Sequence, residues 1–264
     1  MNLEDLRAIA RGSRVFDLGV ELFPGMPHVP LHGPFGYSMI REHGDFMYSG
    51  GACSAVDTFF CTGHTGTHID ALGHVARDMK LHGGLDVAEH QSKTEGLKAH
   101  GIESVAPVVR RGLMIDVAAH LKKDVLEAGR PVTKEELEAA AAAQGVRVEE
   151  GDVVLVRTGH MRHWPGRNYY HQKGGVPGID MDAARWLSDQ GIFMAGSDNF
   201  AVEVLPAPSL PVHCHMLVDS GIHLLEVAVL EELSRARAHE FLFVCLPLKV
   251  RGGTGSPVRP VAIL

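Results

Sequence analysis

The second half of the chain alternates strongly apolar segments with segments that favour helices. The apolar segments are GLMIDV at 112–117, DVVLVRT at 152–158, IFMAGS at 192–197 and FLFVCLPLKV at 241–250. Short, continuous apolar runs of this kind are typical of strands that are buried on both faces. Because the segments between them favour helices, the pattern predicts an α/β fold built in layers.

Four helices are predicted in the segments that separate these strands. Thr133 and Glu136 have the spacing of a capping box at the start of the first, and an alanine-rich run follows them. The segments 181–190, 211–220 and 231–238 are interpreted as the other three. A glycine follows each of the first three predicted helices, at positions 145, 191 and 221, as is common at helix ends.

The N-terminal third lacks this alternation. Residues 3–11 are predicted to form a short amphipathic helix, and residues 14–20 and 53–60 to form strands. Residues 23–36 contain four prolines, so this segment is predicted to be an ordered loop or a flexible flap. The early strands suggest antiparallel structure added to the α/β core. No repeat, low-complexity tract or linker divides the chain, and residues 1–264 are interpreted as one domain.

Charge and composition argue against several classes of partner. The formal net charge is -7, the isoelectric point is near 6.2 and aromatic residues make up 6% of the chain, so neither nucleic acid nor a membrane surface is expected as a partner. No apolar run approaches the roughly 20 residues of a transmembrane helix, and the first residues lack the hydrophobic region of a signal peptide. Four scattered cysteines fit reduced thiols. We therefore expect a cytoplasmic protein.

The segment CTGHTGTHIDALGH at 61–74 is the candidate centre of chemistry. It places His64, His68, Asp70 and His74 within eleven positions. In a chain with 17 histidines a single histidine means little. Nothing else in the chain concentrates so many side chains that bind metals or transfer protons.

The spacing of this cluster requires a bent backbone if its side chains share one ion. On a helix Asp70 would point about 200° away from His68, and on a flat strand His64 and His68 would lie about 13 Å apart. Neither arrangement allows both histidines bonds of about 2.0–2.2 Å to one ion together with the aspartate. Gly63 and Gly66 permit a bend, so metal ligation explains the glycines together with the ligands.

Several interpretations of the cluster stay open on this pattern. Two histidines and an aspartate suit Zn, Mn, Fe or Co and leave positions for water and substrate. Alternatively, the histidines hydrogen-bond within a polar loop while Asp70 caps a following helix, or Cys61 joins the histidines in a closed structural site. His74 shares a face with Asp70 if the chain becomes helical there. It is then a candidate general acid or base, unless it is a buried histidine bonded to the backbone.

A second cluster lies in PVHCHMLVDSGIHLLE at 211–226. It offers His213, His215, His223 and Glu226. A histidine and a glutamate that arrive from this distant segment could complete a metal site or make it binuclear.

The stretch HTGTHIDALGH resembles the HxGTHxDxxxH signature of the cyclase family, the metal-dependent hydrolases that include bacterial kynurenine formamidase and isatin hydrolase. Similarity continues in family order through VFDLG at 15–19, VRTGH at 156–160, GSDNFAVE at 196–203 and the segment 211–226. The resemblance implies an α/β fold of swivelling β/β/α type, in which a mixed sheet closes toward a barrel with helices outside. It also implies a homodimer or homotetramer.

The resemblance assigns roles to the first cluster. His64, His68 and Asp70 match the family's metal triad. Asp70 matches the carboxylate that bridges two ions in binuclear members, and His74 matches the catalytic histidine.

In the second cluster the resemblance is less regular. His213 and Glu226 match the ligands of a second metal, but the interval between them is one residue longer than in the formamidase pattern. His215 and His223 match no functional position, and polar packing is expected for both.

The activity implied is metal-assisted hydrolysis of an amide, formamide or cyclic amide of small-molecule size, with one or two divalent ions, Zn or Mn. A serine hydrolase is disfavoured because the G-x-S-x-G motif is absent. A metal-dependent cyclase or dehydratase and a non-catalytic protein with a structural metal are the alternatives. The intact ligand set and His74 weigh against the non-catalytic alternative.

The substrate pocket is expected to have aromatic walls. The candidates for these walls are Phe23, Phe35, Phe46, Tyr48 and the loop 164–170. Arg162 or Arg167, in the polar insertion 162–175, could meet a substrate carboxylate.

Overall fold

The structure is a computed structural model that describes residues 11–264, so the helix predicted at 3–11 lies almost wholly outside the described residues. The strands are β1 Val15–Asp17, β2 Gly36–Arg41, β3 Val56–Phe60, β4 His68–Asp70, β5 Gln91–Ser92, β6 Gly96–Leu97, β7 Val108–Asp116, β8 Pro131–Val132, β9 Val153–Arg157, β10 Gly178–Ile179, β11 Met194–Ser197, β12 His223–Glu226, β13 Glu240–Cys245, β14 Gly255–Pro257 and β15 Val261–Ile263. The α-helices are α1 Val87–His90, α2 Val117–His120, α3 Lys134–Ala143, α4 Asn168–His171, α5 Met181–Asp189, α6 Pro211–His213 and α7 Glu231–Ala236. The 3₁₀ segments are Leu72–His74, His82–Gly84, Ile102–Ser104 and His160–His163, and Cys214–Ser220 is a π-helix.

One mixed sheet of nine strands organises the described residues, in the order β1-β15-β13-β7-β9-β11-β12-β4-β14. The central strands β7, β9, β11 and β12 are parallel, and the pairs on both sides of them are antiparallel. The parallel centre corresponds to the alternation of strands and helices in the sequence. The antiparallel strands come from the two ends of the chain, as the early strands suggested.

The sheet curls until its two ends approach one another. Only three residues separate β14, at one edge, from β15, which is next to the other edge. Val20, just after β1, donates its backbone N–H to Thr67 Oγ1 at 3.0 Å, and Thr67 immediately precedes β4. Phe16 of β1 and Ile69 of β4 pack in the same core although six strands lie between them in the sheet. The predicted mixed sheet that closes toward a barrel is confirmed.

The central strands are buried on both faces, and their side chains alternate between two cores. Leu113 and Ile115 of β7 pack with Leu137 of α3 and Leu187 of α5 in the first core. Met114, between them, packs in the second core. Burial on both faces explains why these strands are continuous apolar runs, with no polar residue at every second position.

The predicted elements differ from the structure mainly at their ends. The capping box at Thr133 and Glu136 is present, and 23–35 contains no helix or strand. The apolar segment at 241–250 leaves the sheet after Cys245, where Pro247 lacks the N–H that a further ladder bond would need. Within the described part of the chain, no helix has both the length and the apolar character needed to cross a membrane.

Candidate active site

Sheet pairing brings His68, Asp70 and Glu226 together. β4 lies between β12 and β14, and Glu226 of β12 is directly opposite His68. Alternate residues of one strand, and opposed residues of paired strands, point to the same face. His68 Nε2 accordingly lies 3.5 Å from Asp70 Oδ1 and 3.3 Å from Glu226 Oε2, and all three side chains are buried.

A turn before β4 carries His64 into this cluster. Gly66 has a φ of 61°, in the left-handed region that favours glycine. A Cβ on Gly63 would lie only 2.7 Å from the carbonyl oxygen of Gly255. The predicted bend is therefore present, with Gly66 turning the backbone and Gly63 permitting its close contact with β14. His64 Nδ1 lies 2.8 Å from Asp70 Oδ1.

His74 joins the cluster through a different local structure from the one predicted. β4 continues through Asp70, and the helical turn is the 3₁₀ segment that begins at Leu72, without a side-chain cap. Asp70 therefore caps no following helix, and that interpretation was wrong. The ring centroids of His74 and His64 are 4.0 Å apart. One ligand atom from each of His64, Asp70 and His74 lies within 4.8 Å of the others.

His213 reaches the site at the end of α6 and is held there by Glu203. The His213 Nδ1–H donates to the carboxylate of Glu203, which is 1% exposed and also accepts the backbone N–H of His213 at 3.3 Å. A carboxylate in this position fixes the ring orientation of a metal-binding histidine. The His213 Nε2 that remains lies 3.3 Å from Glu226 Oε1. Glu203 was missed in the sequence, although GSDNFAVE ends on it.

A π-helix lies between positions 213 and 226, where the resemblance implies an interval one residue longer than in the formamidase pattern. Cys214–Ser220 is π-helical and ends at Gly221, whose φ is 67°. Hydrogen bonds in a π-helix span five residues rather than four, so this turn takes up one more residue than an α-helical turn. The longer spacing is thus compatible with His213 and Glu226 facing one another.

The two oxygens of Asp70 face different histidines. Oδ1 is nearest to His64 and His68, whereas Oδ2 lies 3.9 Å from His213 Nε2. Asp70 Oδ1 and Glu226 Oε1 are buried and accept no well-aligned hydrogen bond, although the imidazole nitrogens of His64 and His213 lie 2.8 Å and 3.3 Å away. Buried carboxylate oxygens without a partner are costly, unless a cation binds them. The residues therefore fit a divalent metal. Two three-ligand groups share Asp70, one with His64 and His74 and the other with His68 and Glu226, and His213 belongs to neither group.

The pKa values of two imidazoles show how strongly this site attracts positive charge. Burial disfavours the protonated form of His68, but Glu226 and then Asp70 raise its pKa to about 9. Burial also opposes protonation of His213, while Glu203 and Glu226 raise its pKa to about 10. A bound divalent ion would balance the negative charge of the carboxylates in place of these protons, because metal ligands must be deprotonated.

His74 has the opposite tendency. Burial lowers the pKa of His74 to about 4, and this outweighs the opposing charge of Asp70. A divalent ion nearby would lower the pKa further, since like charges disfavour the protonated form. His74 is therefore neutral at pH 7, which is the form that accepts a proton.

The other histidines of the second cluster lie outside the ligand set. His223 Nδ1 donates to the backbone oxygen of Asp70 at 3.0 Å, and His215 Nε2 hydrogen-bonds with Ser188 Oγ at 2.8 Å. Polar packing was predicted for both and is what the structure contains. Cys61 belongs to neither ligand group.

Two side chains that lack an assigned role border the site. His32, in the proline-rich loop, has its ring centroid 5.5 Å from that of His64 and a buried Nδ1 without a partner. Tyr170, in α4, is close enough to Glu226 for this carboxylate to add to the rise in the tyrosine's pKa that burial causes. The sequence had suggested Tyr170 as part of an aromatic wall, but His32 had no recognisable signal.

Three other candidates for pocket walls lie in or next to the β2–β3 ribbon. Phe35 is buried and its ring centroid lies 6.1 Å from that of Phe59 in β3. Phe46 and Tyr48 are about half-exposed in the turn between β2 and β3 and pack edge to face. Their role in a pocket stays a prediction.

The family model named Cyclase matches residues 16–204, which is more than half of the chain. The chain belongs to the cyclase family. Kynurenine formamidase of Salinibacter ruber is 30% identical to it over 199 residues, with 75% of this chain and 74% of the relative covered. Kynurenine formamidase of Bacillus cereus strain ATCC 14579 is 28% identical over 198 residues, with 75% of each chain covered.

Solved structures of cyclase-family proteins have the same fold. A crystal structure described as a novel cyclase superposes with a TM-score of 0.89 at 27% identity, covering 100% of this chain and 92% of the other. Isatin hydrolase A from Ralstonia solanacearum superposes with a TM-score of 0.79 at 23% identity, covering 100% of this chain and 97% of the other.

Proposed function

We propose that this cyclase-family chain hydrolyses an aryl formamide or a cyclic amide with divalent ions bound at Asp70. Its curated relatives are kynurenine formamidases, and the chain is a metal-dependent hydrolase of C–N bonds other than peptide bonds. The observation that carries the proposal is a pair of buried carboxylate oxygens, on Asp70 and Glu226, that face imidazoles without an aligned hydrogen bond and lie beside a neutral His74.

The proposed ligands divide into two sets around Asp70. His64, His68 and Asp70 would hold one Zn or Mn ion. His213 and Glu226, with Asp70 as a shared ligand, would hold a second. A divalent ion in such a site polarises a carbonyl and makes water acidic enough to be a nucleophile near neutral pH.

The chain's own groups would supply the proton transfers. His74 would accept a proton from the attacking water while the new C–O bond forms. It would then return this proton to the nitrogen as the C–N bond breaks, so that the amine leaves neutral. Glu203 would keep the Nε2 of His213 directed at the site throughout.

Metal removal tests this proposal. We expect protein treated with a chelator to lose hydrolysis of N-formylkynurenine, isatin or a simple cyclic imide, and Zn²⁺ or Mn²⁺ to restore it, because no other nucleophile motif is available. The rates would be measured by absorbance before and after metal is added back. Activity that is unchanged by chelation would contradict the proposal, and cyclisation or dehydration by the reloaded protein would favour the alternative chemistry.

We also propose that the chain assembles as a homodimer or homotetramer through the ribbon formed by β2 and β3. All five residues of β3 are exposed, and the large apolar side chains Ile40, Phe59 and Phe60 are 66%, 60% and 68% exposed. An isolated two-stranded ribbon is marginally stable in water, so its apolar side chains need a covering surface. A second copy would bring an identical ribbon.

Light scattering after gel filtration tests the assembly. We expect Phe60→Ser to weaken association at least about tenfold, because a buried phenylalanine contributes about 1.5–3 kcal/mol. Leu31→Ser, at a residue that is 94% exposed outside the ribbon, is the matched control and should leave the mass unchanged. A wild-type mass of one chain at every concentration would rule the assembly out.

A further inference from the structure

A cavity of about 530 Å³ lies between the proline-rich loop and the turn that contains α4. Three of its lining residues, His28, Arg167 and His171, carry basic side chains, and none is acidic. The rest of the lining is glycine, methionine and proline. The chain as a whole has a formal net charge of -7, whereas this cavity is lined by basic side chains and no acidic ones.

Arg167 is available to a ligand in this cavity. Its guanidinium forms no ion pair within residues 11–264, whereas Arg162 on the same segment is paired with Asp124 at 2.8 Å and Glu231 at 3.8 Å. His171 follows Arg167 by four residues across α4, so the two side chains share a face of this helical turn. Arg162 lines a different cavity, together with Glu231 and Arg157.

The two segments that line the cavity also carry residues next to the candidate active site. The proline-rich loop contributes His28 to the cavity and His32 to the site, where the His32 ring lies 5.5 Å from that of His64. The opposite wall contributes Arg167 to the cavity and Tyr170 to the surroundings of Glu226. A ligand that spans the two regions would place one end at Asp70 and the other at Arg167.

We propose that Arg167, with His28 and His171, forms a subsite for a carboxylate carried by the amide substrate. Arg167 is the permanently charged member of the set, so a monoanion matches the charge. A guanidinium binds a carboxylate through two parallel N–H donors, while the apolar rim of the cavity accommodates the intervening part of the substrate. The inference rests on the proposed amide hydrolysis and narrows its substrates to amides that bear a carboxylate some distance from the scissile bond.

Two matched formanilides test the subsite on the metal-loaded protein. Formanilide has no charge, and 4-formamidobenzoate carries a carboxylate on the far side of the ring. We expect kcat/KM to be at least about tenfold higher for the carboxylated compound, as for a charged hydrogen bond. Arg167→Gln should remove this preference, and the loss should appear in the KM for 4-formamidobenzoate. Arg162→Gln, the matched control, should keep the preference.

A binding measurement separates failure of the subsite from failure of the proposed function. Benzoate binding would be measured by calorimetry on the same three metal-loaded proteins, and we expect Arg167→Gln alone to weaken it. If neither formanilide is hydrolysed, the proposed function fails, while binding that depends on Arg167 still supports the subsite. Equal rates on both compounds, or equal benzoate affinity with and without Arg167, would overturn the subsite.

Discussion

Replacing Asp70 with alanine is expected to reduce hydrolysis by at least about 10³-fold, to the level of metal-free protein. Asp70 is 1% exposed and is the residue common to both potential ligand groups. Its two oxygens face His64 and His68 on one side and His213 on the other. Loss of this one carboxylate would therefore remove a ligand that both proposed ions would share.

Metal content distinguishes this result from misfolding. Asp70→Asn keeps the shape of the side chain and the backbone pairing of β4, so its thermal unfolding should remain cooperative while bound Zn or Mn falls sharply. Asp219→Asn is the matched control, since Asp219 is partly exposed and forms a surface ion pair with Arg77. Full activity in Asp70→Ala would refute metal ligation by Asp70.

Replacing His74 with alanine should lower kcat by about 10²–10⁴-fold, the range for loss of a general acid or base. Unlike the Asp70 variants, this protein should keep its bound metal close to the wild-type amount. The reason is that His74 is neutral and would accept a proton in the proposed mechanism, while His64, His68, His213 and the carboxylates would hold the ions.

His74 also belongs to one of the two potential ligand groups, so its replacement could remove the metal instead of the proton acceptor. Metal content by elemental analysis and kcat would be measured on the same samples. His215→Gln is the matched control, since His215 hydrogen-bonds with Ser188 of α5 and lies outside both potential ligand groups. Loss of metal in parallel with activity would show that His74 is a ligand and that its catalytic assignment is wrong.

Much of the fold was accessible from local patterns. The central strands β7, β9 and β11 could be predicted because burial on both faces leaves an unbroken apolar run, and α3 and α5 could be predicted from their caps. The pairing of β4 with β12 and β14 was not accessible. Strands of three or four residues carry too few positions for periodicity to identify them or their partners.

The candidate site divides in the same way. The density of ligands at 64–74 and the two glycines already require a bend if an ion is bound, and that bend is present at Gly66. The resemblance to the cyclase family proposed His213 and Glu226, but their spacing in the chain could not show that they face each other. Glu203 and His32 could not be assigned from the sequence, since each acts through contact with a histidine that is not its neighbour in the chain, His213 and His64 respectively.

Residue order alone therefore decides the chemistry that this protein offers: imidazoles and a carboxylate gathered on a glycine-bent segment, followed by one more histidine. Tertiary structure alone decides how that chemistry is arranged. The pairing of β12 with β4 places Glu226 against His68, Glu203 holds the ring of His213 with its Nε2 toward Glu226, and Asp70 comes to lie between these side chains. The physical reason is that a ligand set depends on distances of a few ångströms between side chains, and for residues more than 130 positions apart only the packed sheet sets those distances.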